Sequence, residues 1–195
     1  MEPIILASGS LRRQEYFRIL GLPFSIMPSL VDEEIQKGLK PEEAAEDFAV
    51  RKVKRVIELM EKRLPQWIFG ADTIISVDDD IFGKPGDREE AKHMLLRLSG
   101  REHRVITAMA LYVSREDRID CRSISCEVSF APISGAEIEW YLNTGEWQGV
   151  AGSYRVQGVG ACFIQSIKGP PGAVAGLSMR DFYVMLRDNG YPYGA

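Results

Sequence analysis

Residues 67–77, WIFGADTIISV, are eleven residues of which only Asp72, Thr73 and Ser76 are polar. Their β-branched and aromatic content predicts a strand, and Asp78-Asp79-Asp80 reads as the turn that ends it. Outward on the N-terminal side, Pro41-Glu42-Glu43 opens a long helix to about residue 62, with proline in the first turn and acid near the positive end of the dipole. On the C-terminal side, Asp87 with Glu90 has capping-box spacing, and Ala91, Met94, Leu95 and Leu98 follow on one helical stripe. A predicted strand framed by two predicted helices points to an α/β fold.

The flanks extend the pattern. Residues 3–7 read as a short buried strand, and Ser10 caps a helix over about 11–20 that Gly21 closes. Residues 24–28 form a second short strand. Residues 103–113 and 123–130 form a hairpin around the polar tip SREDR; Ile124, Cys126, Val128 and Phe130 alternate with Ser125, Glu127 and Ser129, so one face packs and one is wet. Ser134 and Glu137 open another helix to about residue 143. Residues 161–167 read as a strand and 178–188 as a terminal helix. Hairpins among interleaved helices and strands predict a mixed, curved sheet with flanking helices. Glycines at 145, 149, 152, 158 and 160 mark an irregular segment suited to a hinge or cleft wall.

At 195 residues, with 45% hydrophobic and 27% charged side chains, the chain can bury a core without staples and is expected to form one domain or two fused lobes. Its net charge of −4 argues against a general nucleic-acid or membrane-surface binder. No apolar run approaches the ~18 residues of a membrane span. Cys121, Cys126 and Cys162 form no CxxC pair and have no histidine cluster, which points away from zinc and toward reduced thiols in a cytoplasm. His93 and His103 read as surface or structural residues.

Three features stand out against this background. In ILASGSLRRQEYFRILG (5–21), Ser8-Gly9-Ser10 sits between a strand and a helix start, where backbone N–H groups and the dipole favour a phosphate or carboxylate. Arg12 and Arg13 follow in the first turn, a position where cations oppose the dipole unless an anion compensates them. The alternative is that both arginines are solvated or pair with nearby acids. Asp72 lies inside an apolar strand, where a carboxylate needs a partner; it is either a metal ligand or general base, or an edge or outward-facing acid, or one paired with a structural lysine. Lys52 shares a helical stripe with Ala45, Phe48, Ala49 and Val56, so it either snorkels to the rim or aims its charge into a cleft. Lys84 follows a turn, and one acid of Asp32-Glu33-Glu34, placed beside Asp72, would complete an oxygen-ligand site for Mg²⁺ or Mn²⁺. Four cations with two candidate carboxylates suit phosphoryl or nucleotidyl chemistry.

The stretches LASGSLRRQEYFRILGLPF, VDEE, GADTIISVDDDIFGKPGD, LSGREHRVITAMAL and AGSYRVQGVGACFIQSIKG together resemble the Maf family of nucleoside triphosphate pyrophosphatases over about residues 4–186. The resemblance implies a Maf/inosine-triphosphate-pyrophosphatase-like fold with a cleft between two lobes, a homodimer, a divalent metal, and hydrolysis of a nucleoside triphosphate to the monophosphate and pyrophosphate. It implies that Asp72 is the catalytic acid group and a metal ligand with Glu33. Ser8, Ser10, Arg12, Arg13, Lys52 and Lys84 would bind substrate phosphates. Arg12, Thr73 and Gln157 match the dTTP/UTP branch, whereas the 7-methyl-GTP branch tends to carry Trp, Gln and Glu; a neutral amide suits a pyrimidine edge. Leu11, Val150, Ala173 and Ser178 depart from the residues usual in the family. Two alternatives stay open at this point, 7-methyl-GTP as substrate and a nucleotide-binding regulator of cell division or septum formation.

Overall fold

The computed structural model describes residues 1–31, 34–36, 38–60, 64–78 and 80–193. Its strands are β1 (Ile4–Leu6), β2 (Phe24–Ile26), β3 (Trp67–Val77), β4 (Asp80–Phe82), β5 (Glu102–Val113), β6 (Arg118–Phe130) and β7 (Ile164–Lys168). The helices are α1 (Leu11–Ile19), α2 (Pro41–Met60), α3 (Arg88–Leu98), α4 (Gly135–Asn143), the single turn α5 (Pro171–Val174) and α6 (Met179–Asp188). One sheet of seven strands runs β2-β1-β3-β5-β6-β7, with β4 beside β3. β1 is parallel to β2 and to β3, and the remaining pairings are antiparallel, so the sheet is mixed as the sequence predicts.

Period-2 alternation along β3 sends Ile68, Gly70, Asp72 and Ile74 to one face and Phe69, Ala71, Thr73 and Ile75 to the other. α2 covers the first face with Ala45, Phe48, Ala49, Val53 and Val56, packed on Ile68, Ile74, Ile106 and Ala108. The helix lies close because residue 70 has no side chain: a Cβ there would stand 2.9 Å from the Ala49 carbonyl oxygen and 2.9 Å from Val53 Cγ2. α1 and α6 cover the other face through Phe17, Phe69 and Phe182, whose rings stack 4.4–5.6 Å apart. Further along that face, α3 and α4 pack on Val105, Val128 and Phe130.

The edge of β3 that faces away from β5 is covered in two pieces. β1 pairs with Trp67–Phe69, and β4 pairs with Ile75–Val77. Among the described residues no strand covers residues 70–74 on that edge. Asp72 and Thr73 point to opposite faces, yet both reach this gap.

The helix caps follow the sequence. Ser10 accepts from the Arg13 amide, Asp87 from the Glu90 amide, and Ser134 with Glu137 makes the full capping box. Ser178, one of the departures, caps α6 by accepting from the Asp181 amide. Four expectations need correction. Glu90 does not close its box on Asp87; its carboxylate accepts instead from the Gly86 amide at 2.7 Å. Asp80 belongs to a strand, since three residues of β4 return along β3. The second hairpin strand starts at Arg118, five residues before the hydrophobic alternation becomes visible. Residues 161–163 belong to a 3₁₀ turn, Val159–Phe163, where Gly158 and Gly160 break the extended chain, and β7 begins only at Ile164. The predicted end of α2 near residue 62 lies outside the described residues, as does Asp79. Among the described residues no helix is long and apolar enough to cross a membrane.

Candidate active site

The uncovered stretch of β3 opens into a cleft of about 1,330 Å³. Ser8, Ser10, Arg12, Arg13, Lys52, Asp72, Thr73, Lys84 and Gln157 all line it. They come from five places in the chain, and the fold brings every described member of the predicted set to one hollow. Glu33 lies outside the described residues.

The β1-to-α1 turn forms one wall. The Ala7 amide donates to the Phe69 carbonyl at 2.8 Å, extending the β1–β3 pairing by one bond before the chain turns away. Ser8 is buried, and its Oγ accepts from the Ser10 amide at 3.2 Å and from Arg13 Nη1 at 3.1 Å. The Ser10 hydroxyl caps α1. The two arginines separate. Arg12 stays half-exposed and makes a 3.5 Å pair with Glu15, which is weak at that exposure. Arg13 is buried: Nε donates to the Gly176 carbonyl at 3.1 Å, and Nη2 approaches Thr73 Oγ1 at 3.4 Å. Gly176 has φ +101°, a backbone state that glycine tolerates far better than other residues, and this state turns its carbonyl toward the guanidinium.

Lys52 and Asp72 form the floor. Lys52 is 8% exposed and Asp72 7% exposed, and Lys52 Nζ donates to Asp72 Oδ1. Both open questions at these positions therefore have one answer. The lysine does not snorkel to the rim, and the buried carboxylate has its partner. The close approach of α2 at Gly70, two residues earlier on the same strand face, brings the lysine within reach.

The opposite wall is the glycine-rich segment. The Gly152 amide donates to the Gly83 carbonyl at 3.1 Å, tying this segment to the turn that carries exposed Lys84. The Glu146 carboxylate accepts from the Val159 and Gly160 amides at 3.1 and 3.0 Å, which fixes the loop around Gln157. Gln157 Nε2 donates to the Tyr16 hydroxyl at 3.2 Å, joining this wall to α1. Arg155 also lines the cleft; its guanidinium donates to the Glu146 and Gln148 carbonyls. The sequence reading passed over this fifth cation, although it stands two residues before Gln157 in a motif already singled out.

Outside the cleft, burial sets the titratable groups. It lowers the pKa of His103 to about 4, so this histidine is neutral at pH 7; its Nε2 pairs with the Tyr154 hydroxyl at 2.7 Å. It pushes the Cys121 thiol up to about 12 and raises Cys126 as well, which disfavours the nucleophilic thiolate at both.

A cation-lined cleft around a buried carboxylate, at an open stretch of a mixed sheet, defines an α/β protein built to hold an anionic ligand. The chain belongs to the Maf family: the family model described as Maf-like protein matches residues 3–189. It is similar to a dTTP/UTP pyrophosphatase of Symbiobacterium thermophilum, 43% identical over 193 residues that cover 98% of this chain and 96% of the relative. A dTTP/UTP pyrophosphatase of Bacillus velezensis is 40% identical over 174 residues, 89% of each chain. Among solved structures, the Ham1 protein of Staphylococcus aureus overlays with a TM-score of 0.43 at 15% identity, covering 67% of this chain and 72% of that one; the overlay is too loose to bear on the site.

Proposed function

We propose that this protein hydrolyses dTTP and UTP to the monophosphate and pyrophosphate, with Asp72 as the catalytic residue. The observation that carries the reading is the Lys52–Asp72 pair on the floor of a cleft that Arg12, Arg13, Lys84 and Arg155 also line. Cations opposite a triphosphate neutralise the charge that develops as pyrophosphate leaves. Relatives at 43% and 40% identity carry the name dTTP/UTP pyrophosphatase, and Arg12, Thr73 and Gln157 are the residues expected of that branch.

In this reading the triphosphate lies along the Ser8–Arg13 turn. Arg13, fixed from three sides, holds phosphate oxygens in register, and Arg12 and Lys84 close on them from the rim. Lys52 holds the Asp72 carboxylate by one oxygen. A water oxygen bonds to the α-phosphorus, its proton passes to Asp72, and the bridging Pα–O bond breaks with its electron pair leaving on pyrophosphate.

The donor set fits a hard divalent cation. The cleft lining offers the Asp72 carboxylate and, among the described residues, no imidazole or thiol, and Mg²⁺ commonly takes one or two carboxylates together with substrate phosphates. Among the described residues no three His, Cys, Asp or Glu side chains cluster. Asp72 would hold Mg²⁺ or Mn²⁺, and Glu33, outside the described residues, is the proposed second ligand. When bound, the ion supplies charge neutralisation at the phosphates.

The same reading takes the chain as a single domain, a homodimer in solution, and cytoplasmic, where nucleoside triphosphates are made. Light scattering tests the dimer, and a single urea transition tests the domain. The function itself is tested by pyrophosphate release from dTTP. Asp72→Asn should lose about 10²–10⁴-fold in rate, the usual worth of a positioned base, while circular dichroism stays unchanged. Near-parental turnover would refute the assignment.

A further inference from the structure

Arg13 is tied to a second feature of the fold, a buried pair of threonines. Thr73 and Thr107 stand directly opposite each other on β3 and β5, on the face away from α2. Their hydroxyl oxygens lie 2.7 Å apart. Thr107 is fully buried, and its Oγ1 also lies 2.7 Å from the Ala173 carbonyl oxygen in α5.

The proton direction follows from the chemistry of these groups. A carbonyl oxygen only accepts, so Thr107 donates its single proton to Ala173. Thr107 then has no proton for Thr73, and Thr73 must donate to Thr107. That commits the proton of Thr73 and turns its lone pairs outward, toward Arg13 Nη2 at 3.4 Å. The relay runs Arg13 to Thr73 to Thr107 to Ala173, every donor matched to an acceptor. The segment 173–176 thus holds the arginine twice, through Gly176 directly and through Ala173 by way of two hydroxyls.

We infer that Thr107 is a positioning residue for Arg13, and that the Thr107–Thr73 pair orients the phosphate-binding guanidinium. The inference rests on the proposed binding of a polyphosphate in the cleft. It gives Thr73 a task besides the base selection that the family resemblance implies, and leaves its hydroxyl able only to accept toward the cleft. The relay ends on the main-chain carbonyl of Ala173 and so does not depend on that residue's side chain.

The test uses inorganic tripolyphosphate, which carries no base, titrated calorimetrically without divalent metal. Thr107→Val preserves shape and removes the hydroxyl; it should raise the Kd about 3- to 10-fold, the worth of one well-oriented hydrogen bond. Thr107→Ser should restore binding to within about twofold, and Thr73→Val should weaken it like Thr107→Val. In an Arg13→Lys background, Thr107→Val should change little, since the fork it orients is gone. With nucleotides, Thr107→Val, which lies behind the cleft surface, should lose kcat/KM by the same factor for dTTP and dCTP. A Thr107→Val protein that binds tripolyphosphate like the parent overturns the inference, as does a changed dTTP-to-dCTP ratio in Thr107→Val. A parent that does not bind tripolyphosphate at all overturns it too. A parent that binds tripolyphosphate but releases no pyrophosphate from dTTP or UTP counts against the proposed function and leaves the relay standing.

Discussion

Replacing Lys52 with methionine separates the structural work of the floor from its chemistry. The substitution keeps the apolar stem that packs beside Phe48, Ala49 and Val56 and removes the charge. Asp72, 7% exposed, then holds a carboxylate without the partner that now donates to it. Breaking a fully buried ion pair in this way typically costs about 3–5 kcal/mol. One side of this pair borders the cleft, where water has access, so the expected loss is about 3 kcal/mol. In urea, with a slope of about 2 kcal/mol per molar, the midpoint should fall by about 1.5 M. The double variant Lys52→Met with Asp72→Asn should recover about 2 kcal/mol of that loss, because a neutral amide does not need the ammonium. All four proteins should be measured at pH 7.5 with the same protein stock concentration. If Lys52→Met loses under about 0.5 kcal/mol, or if the two substitutions simply add, the floor is not a buried pair and the geometry of the site is wrong.

Other expectations follow from the same geometry. Because burial holds His103 near a pKa of about 4 against 6.5 when exposed, the unfolded chain binds the extra proton first. This group's contribution is then complete above pH 6.5 and is lost as pH falls toward 4, by up to about 3 kcal/mol; a His103→Phe variant should lack that slope, and an identical slope in both proteins would contradict it. Gly70→Ala should cost about 1–3 kcal/mol in thermal or urea unfolding, since the added Cβ meets Ala49 backbone that cannot swing aside. Gln157→Glu should lower kcat/KM for dTTP and UTP about tenfold or more while leaving tripolyphosphate affinity within twofold, as a carboxylate replaces the neutral amide at the wall and leaves the phosphate clamp intact. Equal losses in both assays would move Gln157 to the phosphate end.

Much of this was legible in the residues. The apolar stretch of β3, the proline and stripe of α2 and the capping serines are local signals, and they fix β3 and the starts of the helices within a residue or two. The cation set was legible because charge on a buried stripe or in a helix's first turn is anomalous on its face. Other features were not legible, for identifiable reasons. β4 pairs over only three residues and begins at an aspartate, so its signal is that of a turn. β5 is buried continuously from Val105 to Val113, and without polar alternation nothing distinguishes Thr107 from its neighbours. The hydroxyl matters through Ala173, 66 residues later, and no local pattern encodes that distance. Whether Lys52 met solvent or Asp72 depended on how closely α2 approaches β3, which a single glycine decides.

The most direct test of the central claim is dTTP hydrolysis in ¹⁸O-labelled water, with products resolved by mass spectrometry, for the parent and Asp72→Asn. The account predicts one labelled oxygen in dTMP, unlabelled pyrophosphate, and loss of nearly all turnover in the variant. Label in the pyrophosphate, release of orthophosphate with dTDP, or undiminished turnover without the Asp72 carboxylate would contradict it.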